Sequence, residues 1–209
     1  MTVASRLTPL QERILDELAG MEPAWTLFGA GALIGFHLGH RTTRDLDLAF
    51  RPLLQLGEIP REVEARLRRV GLQVDHVQTA VSFARLRVTD ATGSIEVDLV
   101  ADPTQPVEPP AEPRPGVHVD TARELLAQKL CALLSRTELR DLDDIGALLA
   151  AGGDLEQGLR DAVLRDGGFS PPTLAWLLQS FPIARAKEEG RDQRRLEQMR
   201  QQLLDALRH

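Results

Sequence analysis

The sequence is poor in the residues that commonly staple a chain together or attach it to a surface. Cys131 is the only cysteine among 209 residues, which excludes an internal disulfide and any zinc site built from several thiolates. It reads as a buried helix residue. The opening residues Met1–Arg6 lead into a polar amphipathic segment, and no long apolar run is present, so neither a signal peptide nor a membrane span is expected and the chain reads as cytoplasmic. A basic excess is missing too. The formal net charge is −6, which argues against a surface that is one large nucleic-acid footprint and leaves room only for a local basic patch. Lysine is scarce, with Lys129 and Lys187 the only two, so a lysine inside a patterned helix carries information.

What is present is a 43% apolar chain long enough for one sizeable core or two small ones. Thr8 to Leu18 reads as a helix, with Thr8 as N-cap, Pro9 in the first turn and Leu10, Ile14 and Leu18 recurring every four residues. Trp25–Phe28 is a short apolar strand, and Gly29-Ala30-Gly31-Ala32 turns the chain into a helix that ends at Gly39. Asp45 to Phe50 alternates acid and apolar residue, the period of a strand with one buried face. A charged helix over Glu62–Val70 follows, then strands at Gln73–Thr79, Ser82–Thr89 and Ser94–Val100, the last two joined by a turn at Asp90-Ala91-Thr92-Gly93.

Six prolines between Asp102 and Gly116 exclude a regular helix or a central strand there. The domain boundary is placed in this stretch, giving an α/β domain over residues 1–116 and a helical domain over 117–209. The helical part divides into Thr121–Leu134, Glu138–Ala151, Leu155–Arg165, Pro172–Ser180 and a charged last helix from about Glu188 to Leu207. That last helix has only a slight basic excess and reads as a solvated or partner-facing surface, with RNA contact second.

Asp45 and Asp47 point to one side of their strand, with Cα atoms roughly 6.5–7 Å apart. Such a pair either converges on divalent ions, which take hard oxygen ligands, or lines a solvated sheet face. Asp98 is the candidate third carboxylate, since Ile95, Val97 and Leu99 would face the core; Glu96 is the second choice. The Gly29-Ala30-Gly31 turn is either a tight turn or a place where backbone amides approach a phosphate. His37 and His40 read as ordinary helix-end residues, and Arg41 and Thr43 as pocket-shaping or loop-closing ones. If residues 129–144 form one unbroken helix, Lys129, Arg136, Arg140 and Asp144 share a stripe within about 80° and Asp141 lies off it. The competing reading is a cap at Thr137 and a network in which Arg140 pairs with Asp144 and Lys129 is solvated.

Three stretches together resemble a known family. They are Phe28-Gly29-Ala30-Gly31-Ala32 through His40-Arg41-Thr42-Thr43-Arg44-Asp45-Leu46-Asp47-Leu48, then Glu96-Val97-Asp98-Leu99, then Leu125 to Leu133 with Lys129, continued by Arg136 and Arg140-Asp141-Leu142-Asp143-Asp144-Ile145. They are similar to the glycine turn, double-aspartate strand, later acidic strand and lysine helix of the AbiEii/AbiGii toxin-type nucleotidyltransferases, members of the polymerase β superfamily. The resemblance covers roughly residues 25–150. It implies an α+β fold with a nucleotidyltransferase-type mixed sheet, flanking helices and a helical C-terminal domain. It also implies Mg2+ or Mn2+ held by Asp45, Asp47 and Asp98, with Lys129 assisting. Gly29, Ala30, Gly31, Arg41, Thr43, Arg140 and Asp144 would meet a nucleoside triphosphate. A toxin with a cognate antitoxin and, for some relatives, transfer RNA as acceptor completes the implied picture. The family's turn usually carries a second glycine and then a serine or threonine, whereas this chain has Ala30 and Gly31, so a hydroxyl aimed at a phosphate is missing. The alternatives are a small-molecule nucleotidyltransferase and a binding protein that keeps the fold without turnover.

Overall fold

The computed structural model describes residues 5–208; of the opening stretch Met1–Arg6, the first four residues lie outside them. The chain divides into two compact units, one ending at Thr121 and one beginning at Ala122.

The first unit is built on a seven-stranded mixed sheet. Its strands are β1 (Trp25–Phe28), β2 (Asp45–Phe50), β3 (Gln73–Thr79), β4 (Phe83–Asp90), β5 (Gly93–Ala101), β6 (Ala111–Arg114) and β7 (Val117–Val119), in the spatial order β3-β4-β5-β2-β1-β7-β6. β2 lies parallel to β5 and antiparallel to β1, and β1 is parallel to β7. One face of the central strands carries Leu46, Leu48, Phe50, Leu86, Val88, Val97 and Leu99, all fully buried. Helices α1 (Pro9–Leu18) and α3 (Ile59–Arg69) pack on each other, α1 also on β5 and α3 on β3. The opposite face keeps the polar half of each alternation. The α+β class and the mixed sheet expected from the sequence are what the chain adopts.

The turn between β4 and β5 forms as expected, with Asp90 accepting from the backbone N–H groups of Thr92 and Gly93 at 2.7 and 3.2 Å. The β6–β7 hairpin was not expected. Pro113 lies in β6, the outermost strand, where a missing N–H costs no ladder bond on the open side. Arg51 clasps this end of the unit: its side chain reaches both oxygens of the fully buried Asp120 at 2.7 and 3.1 Å and Asp102 at 2.8 Å. Burial opposes the Arg51 charge, but the Asp120 and Asp102 carboxylates outweigh it and raise the pKa above its ordinary value.

The second unit contains α4 (Ala122–Ser135), α5 (Leu139–Ala150), α6 (Leu155–Arg165), α7 (Pro171–Gln179) and α8 (Gln193–Ala206), with a single 3-10 turn at Ile183–Ala186. The last helix starts later than expected because Asp192 caps it, accepting from Arg194 and Arg195 N–H, just after Gly190 in the left-handed region. No helix of the described residues is long and apolar enough to cross a membrane.

One buried side chain ties α1 to the strand that matters most. Thr8 and Gln11 form a capping box, and Gln11 is fully buried. Its Oε1 accepts the Thr8 N–H at 2.8 Å, while its Nε2 donates to the carbonyls of Thr43 and Asp45 at 3.2 and 3.3 Å. Gln11→Leu keeps the volume and removes these three hydrogen bonds, so urea denaturation should show a loss of about 1–3 kcal/mol; unchanged stability would mean the bonds do not hold β2 in place.

Candidate active site

The acids reach the open sheet face through strand geometry. Asp45 and Asp47 stand two apart on β2, and β2 runs parallel to β5 with Asp45 opposite Glu96 and Asp47 opposite Asp98. Residues aligned across a ladder share a face, so Asp98 points to the same side as Asp45 and Asp47. The carboxylates do not converge, however: among the described residues, no three His, Cys, Asp or Glu side chains are grouped so as to hold a metal ion.

Each acid has its own restraint. Asp45 Oδ1 accepts the Thr43 hydroxyl at 3.3 Å and the Arg44 backbone N–H at 3.1 Å. Asp98 is gripped by Arg85 of β4, whose Nε donates to Oδ1 at 2.7 Å and whose Nη2 donates to Oδ2 at 2.6 Å. The hydrogen bond to Asp98 raises the Arg85 pKa far above its usual value, against slight burial and with help from the charges of Asp98, Glu96 and Asp45. Glu96 is shared between Arg85 and Arg87, each at 3.4 Å. Arg85 was missed in the sequence, although a signal existed: counting back from the turn at Asp90 and Gly93 puts Arg85 opposite Asp98 and Arg87 opposite Glu96.

The glycine turn lies against these acids. Gly29 has φ +63°, in the left-handed region that favours glycine. A Cβ on it would sit 2.4 Å from Asp47 Oδ2, so the turn backbone touches the carboxylate directly. Gly31 lets the helix approach the sheet, where a Cβ would stand 3.2 Å from the Leu27 and Leu46 side chains. From there α2 (Gly29–Ala32) widens into a π-helical turn at Leu33–His37, closed by Leu38 N–H on the Leu33 carbonyl at 2.7 Å. His37 places its Nε2 2.8 Å from the Asp120 carbonyl and so serves the fold, and Arg41 donates to the Thr42 carbonyl at 3.1 Å. A cavity of about 350 Å³ is lined by Thr43, Arg44, Thr8, Ser94 and Ile95, at the residues that lead into β2 and not at Gly29 or Asp47.

The stripe that depended on one unbroken helix does not form, and the chain divides close to the helix spans read from the sequence. The helix breaks between Ser135 and Leu139, and Glu138 rather than Thr137 is the residue before the new helix. The break turns Asp141 and Asp144 toward Lys129, whose ammonium lies 2.8 and 2.7 Å from them. Arg136 holds the other Asp141 oxygen at 2.8 Å. Lys129 is 5% exposed and both aspartates are fully buried, which overturns the reading of Lys129 as a solvated surface residue. Arg140 stands apart from this cluster, paired with Glu138 at 2.8 Å. Cys131 is half-buried on α4, and burial pushes its thiol up to about 11, away from nucleophilic chemistry.

The Gly29–Asp47 contact makes a separable prediction. Gly29→Ala should lower stability by about 1–2 kcal/mol from left-handed backbone alone, plus a clash with Asp47. In Gly29→Ala/Asp47→Ala the clash component should vanish and the backbone component remain, as read by thermal melts of the four proteins. Additive effects would mean the two residues do not press on each other.

The described geometry has counterparts among solved structures. JHP933 from Helicobacter pylori aligns with a TM-score of 0.60 at 18% identity, covering 95% of this chain and 90% of that one. A second H. pylori chain gives a TM-score of 0.59 at 18% identity, with 95% and 93% covered. MenT4, a nucleotidyltransferase toxin from Mycobacterium tuberculosis, gives 0.55 at 21% identity, covering 74% of this chain and 61% of its own. At such identities the likeness establishes the fold. No curated protein matches the sequence. The protein family described as nucleotidyl transferase AbiEii toxin, type IV toxin–antitoxin system, matches residues 13–209. By that match over nearly the whole length, the chain belongs to the AbiEii toxin family and is a nucleotidyltransferase.

Proposed function

We propose that the protein is the toxin of a toxin–antitoxin pair that moves a nucleotidyl group from a nucleoside triphosphate to a hydroxyl of transfer RNA, with Mg2+ or Mn2+ held by Asp45, Asp47 and Asp98. The observation that carries the reading is the register of β2 on β5: Asp47 opposite Asp98, Asp45 on the same face, and Gly29 pressed against Asp47. The donor set fits a hard cation, since it offers carboxylate oxygens and neither sulfur nor imidazole. When bound, such ions supply charge stabilisation at the phosphorus and at the attacking and leaving oxygens.

The chain's own residues have distinct parts in this reading. Thr43 and the Arg44 N–H fix one Asp45 oxygen and so orient the other. The turn at Gly29, Ala30 and Gly31 offers backbone amides to the triphosphate beside Asp47, the work a hydroxyl would share being left to the backbone. Arg41, on the loop before β2, supplies a guanidinium for phosphate oxygens. Within the helical unit, Lys129 uses two of its three N–H donors on Asp141 and Asp144. Asp144 thus positions Lys129 inside that unit, and Arg140 pairs with Glu138 at 2.8 Å. The acceptor oxygen bonds to the α-phosphorus, the bond to pyrophosphate breaks, and the acceptor proton leaves to solvent. Positioning and charge stabilisation supply the rate.

Incubation with each α-labelled nucleoside triphosphate, Mg2+ or Mn2+ and total transfer RNA should place label on the RNA. Asp47→Ala should reduce transfer by ~100-fold or more, as expected for loss of a metal ligand, with an unchanged or higher melting temperature. Label appearing only on small hydroxylated acceptors would move the substrate class, and full transfer by Asp47→Ala would remove the site.

A further inference from the structure

Both oxygens of the proposed ligand Asp98 are engaged by a single cation, Arg85. β5 lies between β4 and β2, and Asp98 pairs with Arg85 on the β4 side, away from its register partner Asp47 on β2. The backbone therefore has the acids in place, while the Arg85 fork holds one of them out of a converging set. A bidentate guanidinium and a divalent cation make the same demand on a carboxylate, and each repels the other at such range.

We infer that Arg85 is a built-in counter-ion that a divalent cation must displace from Asp98, so that this arginine sets the metal requirement of the site. The inference rests on the metal-site reading above.

The arginine has somewhere to go. Its side chain is 37% exposed against 11% for Asp98, so it reaches the acid from the solvent side and can withdraw. Its guanidinium already stands 3.4 Å from Glu96 and 5.8 Å from the centre of the Phe83 ring, and both contacts remain when Asp98 turns toward Asp47. Glu96 is thereby a holder of the released arginine and not a fourth ligand. Without metal, the fork neutralises an almost buried carboxylate and keeps Asp47 and Asp98 from repelling each other at full strength. Metal binding exchanges one cation for another instead of filling a vacant cage.

The test is Mn2+ binding to the full chain without nucleotide, followed by the loss of the free Mn2+ paramagnetic resonance signal. Arg85→Gln should bind Mn2+ about tenfold or more tightly than the parent, the scale of one charge-assisted hydrogen bond no longer competing. The gain should disappear in Arg85→Gln/Asp98→Asn. Arg85→Lys, which keeps the charge without the fork, should show a smaller gain and serves in its place if Arg85→Gln does not fold. Equal or weaker Mn2+ binding in the Arg85 variants, with binding still abolished by Asp47→Asn, would overturn the inference and leave the metal site standing. Absence of saturable Mn2+ binding in every variant, with or without a nucleoside triphosphate, would overturn the site reading and the inference together.

Discussion

The parallel pairing of β2 with β5 is the constraint on which the proposed site depends. Strand periodicity sends alternate residues to opposite faces, so a single registration of these two strands decides whether Asp45, Asp47 and Asp98 share a surface or are divided between surface and core. The buried half of each alternation enforces that registration: a slip of β2 by one residue would drive Asp47 inward and carry Leu48 out while Asp98 stayed on the open face, and a slip of β5 would do the same to Asp98 and Leu99. Gln11 adds a local restraint at the Asp45 end of β2, and Gly29 adds one at Asp47. A hydrophobic core on one side of the sheet thus specifies the position of carboxylates on the other.

Acids gathered in this way require compensation, and the chain supplies it with arginine and its one buried lysine. On the sheet, Arg85 and Arg87 stand opposite Asp98 and Glu96 in the β4–β5 register. In the helical unit, Lys129 and Arg136 balance Asp141 and Asp144. The two cases differ in reversibility. Arg85 is partly exposed and has alternative contacts, whereas Lys129 is buried between two carboxylates, so removing any member there leaves an uncompensated charge. A site that must admit a cation benefits from the first arrangement, and a scaffold that must keep a helix pair together benefits from the second.

Much of this was legible because it is local. The alternation in Asp45–Phe50, the glycine turn before it and the turn at Asp90 to Gly93 each follow from a short-range rule, and together they place the acids on one face. Arg85 and Gln11 were equally within reach, the one by counting from the turn and the other from the Thr8-x-x-Gln11 capping pattern. The helix break between Ser135 and Leu139 was legible too, in the division at Leu134 and Glu138, but its consequence was not: the wheel drawn for an unbroken helix put Asp141 off the stripe, whereas the break brings it onto Lys129. The clasp of Arg51 on Asp120 joins residues 69 apart, and nothing local announces such a partner. The β6–β7 hairpin hid in the proline-rich stretch because proline excludes central strands but tolerates an edge.

The most direct measurement is a crystal structure with Mn2+ and a nonhydrolysable nucleoside triphosphate, read by the anomalous scattering of manganese. The account predicts anomalous peaks among the carboxylates of Asp45, Asp47 and Asp98, with the triphosphate against the Gly29 turn and Arg85 withdrawn onto Glu96. Manganese bound elsewhere, with Arg85 still gripping Asp98 and no nucleotide at Gly29, would contradict it.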